Sequence, residues 1–427
     1  LCSADARAIE SDGDWYITLP KPGSKRVRVL FVNTRSAIGA DVAVHLTLIK
    51  NFDPEHVDVH VATNSRAVDV EKMLGICRSV NGVKVDSLNL GYELSGRGKA
   101  AKLLGAVGNI PGLLFGLMRL MLYVLTRKID VIHTTDRPRD ALVGTLLARL
   151  TGRKNVIHVH IKWYPEIGRA TTWASQKCYA LLAISQFVRR SMIEGGIPDH
   201  KIYTALNSTD VGDFNPANAK RGLVRQKLGL TDETPMIGIV ARIMVWKGQL
   251  ELVEALAELH KLRPGVHLAI VGKEDLLAGD DPASYSSKVR QRAEALGVQD
   301  YVHWAGWFDD MPAVMADLDV VCVPSWEEPF GLVVTEALSM ERPVVGYNTG
   351  ALPEIIRDGV DGLLVSPKDP QAMSQAIDRC LGDESLASKL GKSGRNRVIE
   401  QFTPRRQADE VASIYRLICA NQPMPSN

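Results

Sequence analysis

Short apolar runs alternate with helical patterns along most of the chain, and they do so in two sets. The first set is VRVLFV (27–32), VDVHVAT (57–63), DVIHTT (130–135), NVIHVH (155–160) and YALLAIS (179–185). The second is MIGIVAR (236–242), VHLAIVG (266–272), YVHWAG (301–306), DVVCVPS (319–325), RPVVGYN (342–348) and GLLVSP (362–367). Strand runs separated by helical patterns imply parallel sheets with crossover helices. Between the sets lies NSTDVGDFNPANAK (207–220), rich in Asn, Asp, Gly and Pro, which reads as an interdomain linker. The expected fold class is therefore α/β, with two doubly wound, Rossmann-like domains facing each other across a cleft. Ligands bind such sheets outside the carboxyl ends of the strands, so two edges on one cleft suit a two-substrate enzyme.

The expected divisions are an extension at 1–25, with a short strand at WYITLP, a first domain at 26–206 and a second at 207–404. GQLELVEALAELHKL places Leu252, Val253, Leu256 and Leu259 on one helical stripe. The last helical pattern, QADEVASIYRLICA (407–420), is amphipathic, and pattern alone leaves its packing partner open. A chain of 427 residues has room for two or three domains.

Charge excludes one class of function. Lys plus Arg number 51 against 49 for Asp plus Glu, so net charge does not drive nucleic-acid binding. Six cysteines are scattered without a C-x-x-C pair, which argues for a reducing, cytoplasmic setting and against a cysteine zinc site. Cys322, inside an apolar run, reads as a buried thiol. The chain begins at Leu1, so a preceding targeting segment stays open. The apolar stretch 103–127 is interrupted by Asn109, Pro111 and Arg119, so no unbroken run reaches the ~18 residues of a spanning helix. Its part from Leu113 to Leu125 reads either as a buried helix or as one that touches a membrane surface. The buried helix is the first expectation; Arg97, Lys99 and Lys102 upstream lend the second its support.

The stretch SWEEPFGLVVTEALSM (325–340) concentrates the chemistry. A strand ends at Ser325, a loop carries Glu328, and a helix begins near Gly331 and carries Glu336 about one and a half turns in. Free amides at a helix start make an anion site, and Gly331 lets a ligand approach the backbone. Carboxylates accept hydrogen bonds strongly and so suit sugar hydroxyls. By itself the pattern also fits a helix-start Glu stabilised by the helix dipole beside a solvated loop Glu. GIVARIMVWKGQ adds Arg242 after a strand and Lys247 before a helix, two cations at one sheet edge that can neutralise a leaving diphosphate.

His158 and His160 face the same way on a strand, and His133 reads as the end of the preceding one. No carboxylate or cysteine sits at ligand spacing, so no metal site is expected from them. His160 is read as facing substrate at the sheet edge. The first strand–loop–helix, FVNTRSAIGADVAVH, carries Gly39 but is not G-x-G-x-x-G, and neither a P-loop nor G-x-S-x-G occurs.

Taken together, these residues resemble the retaining glycosyltransferases of family 4, also called glycosyltransferase group 1, which have the GT-B fold. Glu328 and Glu336 match the family's E-x7-E motif, and Arg242 and Lys247 its basic pair. AISQFVRR (183–190), NSTDVGDF (207–214), WAGWFDDMPAVMADLDVVCVPS (304–325) and GALPEIIRDGVDGLLVSP (350–367) match as well. The resemblance implies a first domain that binds acceptor and a second that binds a nucleotide-sugar donor. It also implies that the final helix, about 405–420, crosses back to the first domain. Glu336 should bind the ribose, Glu328 the transferred sugar, and the amides of Phe330, Gly331, Leu332 and Val333 the diphosphate or sugar. Arg242 and Lys247 should stabilise the departing diphosphate. His160 should lie near the donor sugar, Gly39 near the diphosphate and Trp307 beside the base.

The implied reaction moves a hexose from a nucleotide-diphosphate sugar, UDP-linked by the family's base rate, to an acceptor hydroxyl. It is retaining and uses neither metal nor cofactor. The chain departs from the family's usual pattern with IGAD in the first loop, Asn207-Ser208 in the linker, and Pro329, which has no N–H to offer. Two other readings stand beside this one: a catalytically silent binder of sugar nucleotides or glycans, and a nucleotide-sugar epimerase on the same fold.

Overall fold

A computed structural model describes residues 8–11, 14–17, 26–34, 39–65, 69–88, 99–164, 167–274 and 282–421, with side chains from 26 onward except at 99–111, 113 and 282–284. The chain forms two compact units. One is Leu1–Asn207 with Pro404–Asn427, and the other is Ser208–Thr403.

The first unit opens with the antiparallel pair β1 (Ala8–Ser11) and β2 (Asp14–Ile17). Its main strands are β3 (Val27–Asn33), β4 (Val57–Asn64), β5 (Lys84–Leu88), β6 (Val131–Thr135), β7 (Lys154–Val159), β8 (Ala180–Ala183) and β9 (Ile202–Thr204). Its helices are α1 (Ala40–Asn51), α2 (Val70–Arg78), α3 (Lys99–Thr126), α4 (Pro138–Thr151), α5 (Arg169–Lys177) and α6 (Gln186–Glu194). The seven strands lie in the order β5-β4-β3-β6-β7-β8-β9, all parallel. The order therefore reverses between β3 and β6. β5 and β9, missing from the sequence reading, are edge strands; a short run at a sheet edge needs no continuous apolar pattern.

The second unit runs α7 (Leu223–Leu228), β10 (Met236–Val240), α8 (Gln249–Leu262), β11 (His267–Val271), α9 (Pro282–Ala295), β12 (Val302–Gly306), α10 (Met311–Asp317) and β13 (Val320–Val323). It continues through α11 (Leu332–Ser339), β14 (Val344–Tyr347), α12 (Leu352–Ile355), β15 (Leu363–Val365), α13 (Pro370–Gly382) and α14 (Glu384–Gln401). Its six strands are parallel in the order β12-β11-β10-β13-β14-β15, with the reversal between β10 and β13. Leu252, Val253, Leu256 and Leu259 of α8 are all fully buried against this sheet, as one stripe should be.

The last helix, α15 (Pro404–Ala420), belongs to the first unit. Val411, Ile414, Tyr415 and Ile418 join one core with α1 and strands β3 and β4. Each of these apolar side chains contributes roughly 1.5–3 kcal/mol by leaving water, which fastens α15 to this sheet.

The apolar stretch behaves differently from a buried helix. It is part of one helix of 28 residues, α3, which continues through Pro111. Leu120 and Val124 are buried, but Leu114, Phe115, Met118, Leu122 and Leu125 are exposed along the opposite face. The buried-helix expectation thus holds for one face only. Residues 103–111 and 113 fall where side chains are not described. Among the described residues, no helix is long and apolar enough to cross a membrane.

Candidate functional site

The reversal in the second sheet assembles the acidic and basic residues singled out above. Neighbouring strands at a reversal send their chains to opposite faces, which opens a crevice at their carboxyl ends. β10 ends at Val240 and delivers Arg242 and Lys247; β13 ends at Val323 and delivers Glu328. The two loops are stitched together. The Trp326 amide donates to the Trp246 carbonyl at 2.9 Å. Gly248, at φ 80°, lies so close to β13's end that a Cβ there would meet the Pro324 carbonyl at 2.2 Å. Glycine is the residue that tolerates both the conformation and the approach.

This stitching brings Lys247 Nζ to 2.6 Å from Glu328 Oε2. Both side chains are largely buried, at 12% and 9% exposure, so the pair is little screened. The Lys247 ammonium also lies 4.2 Å from the Trp246 ring centre. Gly350 holds the loop from behind: a Cβ there would strike the Glu328 backbone at 2.6 Å, and the Ala351 amide donates to the Glu328 carbonyl. Arg242 is exposed, and its carbonyl accepts from Gln249 Nε2.

α11 begins with Gly331 at φ 102° as its N-cap. Gly331, Leu332 and Val333 supply its first backbone N–H groups, which a helix cannot pair internally. Phe330 is buried and packs edge-on against Phe402, so its ring serves the core. The Glu336 carboxyl group has no hydrogen-bond or ion-pair partner among the described residues. Part of its side chain is accessible by area, yet burial pushes its carboxyl from the ordinary 4.5 up to about 7. An unpaired carboxylate beside free amides can accept hydroxyl hydrogen bonds while the amides meet an anion. Trp307, just past β12, is half exposed, with its indole N–H on Asp309 and Lys273 over its ring.

Several supports of this site were not seen in the sequence. Gly248 and Gly350 close the loops, and Trp326 donates to Glu251 while Lys368 covers its ring at 3.8 Å. The one local signal was the Lys-Gly step before α8, because a helix-start glycine often marks a tight approach.

In the first unit the structure revises the histidine reading. His133 is not at a strand end; it is fully buried inside β6. It meets His158 of β7 and His45 of α1, whereas the sequence reading had grouped it with His158 and His160. His160 follows β7, with its amide 3.3 Å from Asp136 Oδ2 and its ring 4.3 Å from that of His158. Burial, with some help from Arg137, lowers its imidazole to about 4 despite Asp41. Gly39 is the extended N-cap of α1; residues 35–38 of its loop lie outside the described residues.

Comparison with known proteins fits this frame. Residues 220–397 match the family of glycosyl transferases group 1, and residues 42–212 match glycosyltransferase family 4. The chain belongs to the group 1 glycosyltransferases. An alpha-maltose-1-phosphate synthase of Mycobacterium tuberculosis is 28% identical over 305 residues, covering 66% of this chain and 77% of that one. Among solved structures, the Anabaena HepE protein in complex with UDP and glucose superposes with a TM-score of 0.71 at 20% identity, covering 91% of this chain and 99% of that one. Sucrose-phosphate synthase from Thermosynechococcus elongatus gives 0.70 at 21% identity, over 93% of this chain and 100% of that one. At such identities the structural likeness carries the fold, and this glycosyltransferase has the GT-B, Rossmann-like architecture.

Proposed function

We propose that this glycosyltransferase moves a hexose from a UDP-linked sugar to an acceptor hydroxyl, with retention and without a metal in the transfer step. The second unit is the donor-binding domain in this reading and the first the acceptor-binding domain. The observation that carries it is the buried Lys247–Glu328 pair in front of the free amides of α11, with unpaired Glu336 on the same helix. The relatives' UDP complexes support the choice of nucleotide.

Glu336, once ionised, accepts from the ribose hydroxyls. The amides of Gly331, Leu332 and Val333 face the diphosphate or the sugar, Glu328 orients the sugar hydroxyls, and Trp307 lies beside the base. As the bond from sugar C1 to the phosphate oxygen breaks, Arg242 and Lys247 stabilise the charge left on the diphosphate. The acceptor oxygen bonds to C1 from the same face, and its proton passes to the departing phosphate. That route needs no separate base. His160 and Gly39 are assigned to the donor sugar and diphosphate by the family resemblance.

The test is a calorimetric panel of UDP, GDP, ADP and dTDP with their common hexose conjugates, in chelator. Tight binding of the UDP ligands with turnover supports the reading. Binding by none of them favours a silent protein on the same fold, and donor turnover without acceptor favours an epimerase.

A second reading concerns α3. Its exposed Leu114, Phe115, Met118, Leu122 and Leu125 form an apolar face, with Arg119 on the same helix and Arg127 just past its end. Such a face with cations beside it suits peripheral docking on an anionic membrane. Sedimentation with anionic vesicles should be lost on Leu114→Glu with Met118→Glu; unchanged sedimentation rejects it.

A further inference from the structure

The first unit holds a feature that the transfer chemistry does not use. His45 of α1, His133 of β6 and His158 of β7 converge in the interior, all of them buried. One nitrogen from each lies within 4.8 Å of the other two. Among the described residues, the Nε2 atoms of His45 and His133 and both nitrogens of His158 are buried without a hydrogen-bond partner. Buried polar atoms are nearly always paired, so unpaired nitrogens gathered at one point ask for a partner that bonds to several at once.

The chemistry of the donors narrows that partner. Imidazole nitrogens without carboxylate or thiolate select a borderline divalent cation such as zinc, which takes four ligands at about 2.0–2.1 Å. Closing the three nitrogens onto such an ion takes a contraction of about an ångström along side-chain torsions. The far side of His133 is already arranged for it. Its Nδ1 lies 2.6 Å from the Tyr415 hydroxyl of α15. If Nδ1 carries the proton and donates it there, Nε2 presents its lone pair inward, the arrangement that metal-bound histidines adopt. His160 stands next to the group, with its own Nε2 buried and unpaired. Asp136 is buried and accepts from the His160 amide, while the buried Asp41 carboxylate is already paired with Arg137, so the three imidazoles are the donors offered to an ion.

We propose that His45, His133 and His158 form a zinc-class metal site, with His160 beside the fourth position. Its role is structural. The ion joins α1, β6 and β7 and, through Tyr415, the last helix. The three ligands His45, His133 and His158 are not among the residues assigned to the donor, whereas His160 beside them is.

The test uses the full chain, unfolded in chelator and refolded with cobalt(II), so that access to a buried site is not limiting. The expected result is the intense visible absorption of four-coordinate cobalt, saturating at one equivalent and displaced by zinc. Zinc should also raise the unfolding midpoint by several degrees. His45→Asn should abolish the cobalt signal, while His303→Asn, in the second unit, leaves it intact. Should His45→Asn fail to fold, X-ray absorption on the zinc-loaded wild type decides, with three or four imidazoles expected. Weak octahedral cobalt absorption, a signal unchanged in His45→Asn, or an oxygen-dominated shell would overturn the proposal and leave ordered water as the partner of these nitrogens.

Discussion

At the reversal in the second sheet, β10 and β13 deliver two cations and a carboxylate, and α11 presents free amides with Glu336. At the reversal in the first sheet, β6 delivers His133 and Asp136, and α1, entered from β3, delivers His45 and Asp41; all four are buried. The two sheets share one topology, and each opens a crevice at the same kind of place. What each crevice can bind is set by its side chains. One carries paired charge and an unpaired acceptor suited to a sugar diphosphate. The other has behind it a group of buried imidazoles that burial keeps neutral.

The largest expected effect concerns which unit owns α15. Ile414→Ala should cost about 2–5 kcal/mol, because it opens a cavity in a fully packed core. Calorimetry should show the loss in the melting of the first unit, with nucleotide still protecting the second. Equal destabilisation of both would break the assignment of α15 to one core.

Lys247→Ala should lower kcat by about 10²–10³-fold, the usual cost of removing one group that meets developing charge. Donor affinity should change far less. A pure rise in KM with kcat intact would show that Lys247 holds the ground state and leave Arg242 as the cation of the transition state.

Glu336→Gln should weaken UDP binding by about 10–100-fold, as expected for hydrogen bonds to a charged acceptor. Unchanged affinity in calorimetry would remove the ribose from this helix. The smallest effect is the pH dependence of the same group. Its carboxyl titrates near 7 in the free protein, above the ordinary 4.5, so the folded state binds more protons between those values. Stability therefore falls as pH rises from about 4.5 through 7 and levels off above. Ribose hydroxyls favour the ionised form, so UDP affinity should rise over pH 6 to 8 with proton release on binding. Glu336→Gln should flatten both curves; an unaltered slope would place the titrating group elsewhere.

Much of this was legible in the chain. Apolar runs such as MIGIVAR and DVVCVPS announced buried parallel strands, because a strand covered on both faces has no polar side to alternate with. Glu328, Glu336, Arg242 and Lys247 were legible because strand ends and helix starts are set locally, and these residues sit on them. The edge strands β5 and β9 were not: β5 is only partly covered and carries Lys84, Asp86 and Ser87, and β9 is three residues long. The packing of 113–125 stayed open between two readings for a related reason. Hydropathy shows that a helix is apolar but not which of its faces finds a neighbour, and α3 buries Leu120 while leaving Leu122 outside.

By itself, then, the sequence determined the two alternating sets, the parallel sheets and the identities of the charged groups at the second reversal. Those properties follow from interactions short in sequence: strand burial, helix starts and the spacing of one loop. Only tertiary structure decided that Lys247 pairs with Glu328 across 81 positions, that Tyr415 reaches His133 across 282, and that His45 joins His133 and His158. These partners lie on different elements, and the sheet order and close glycine approaches that bring them together leave no periodic mark in the chain.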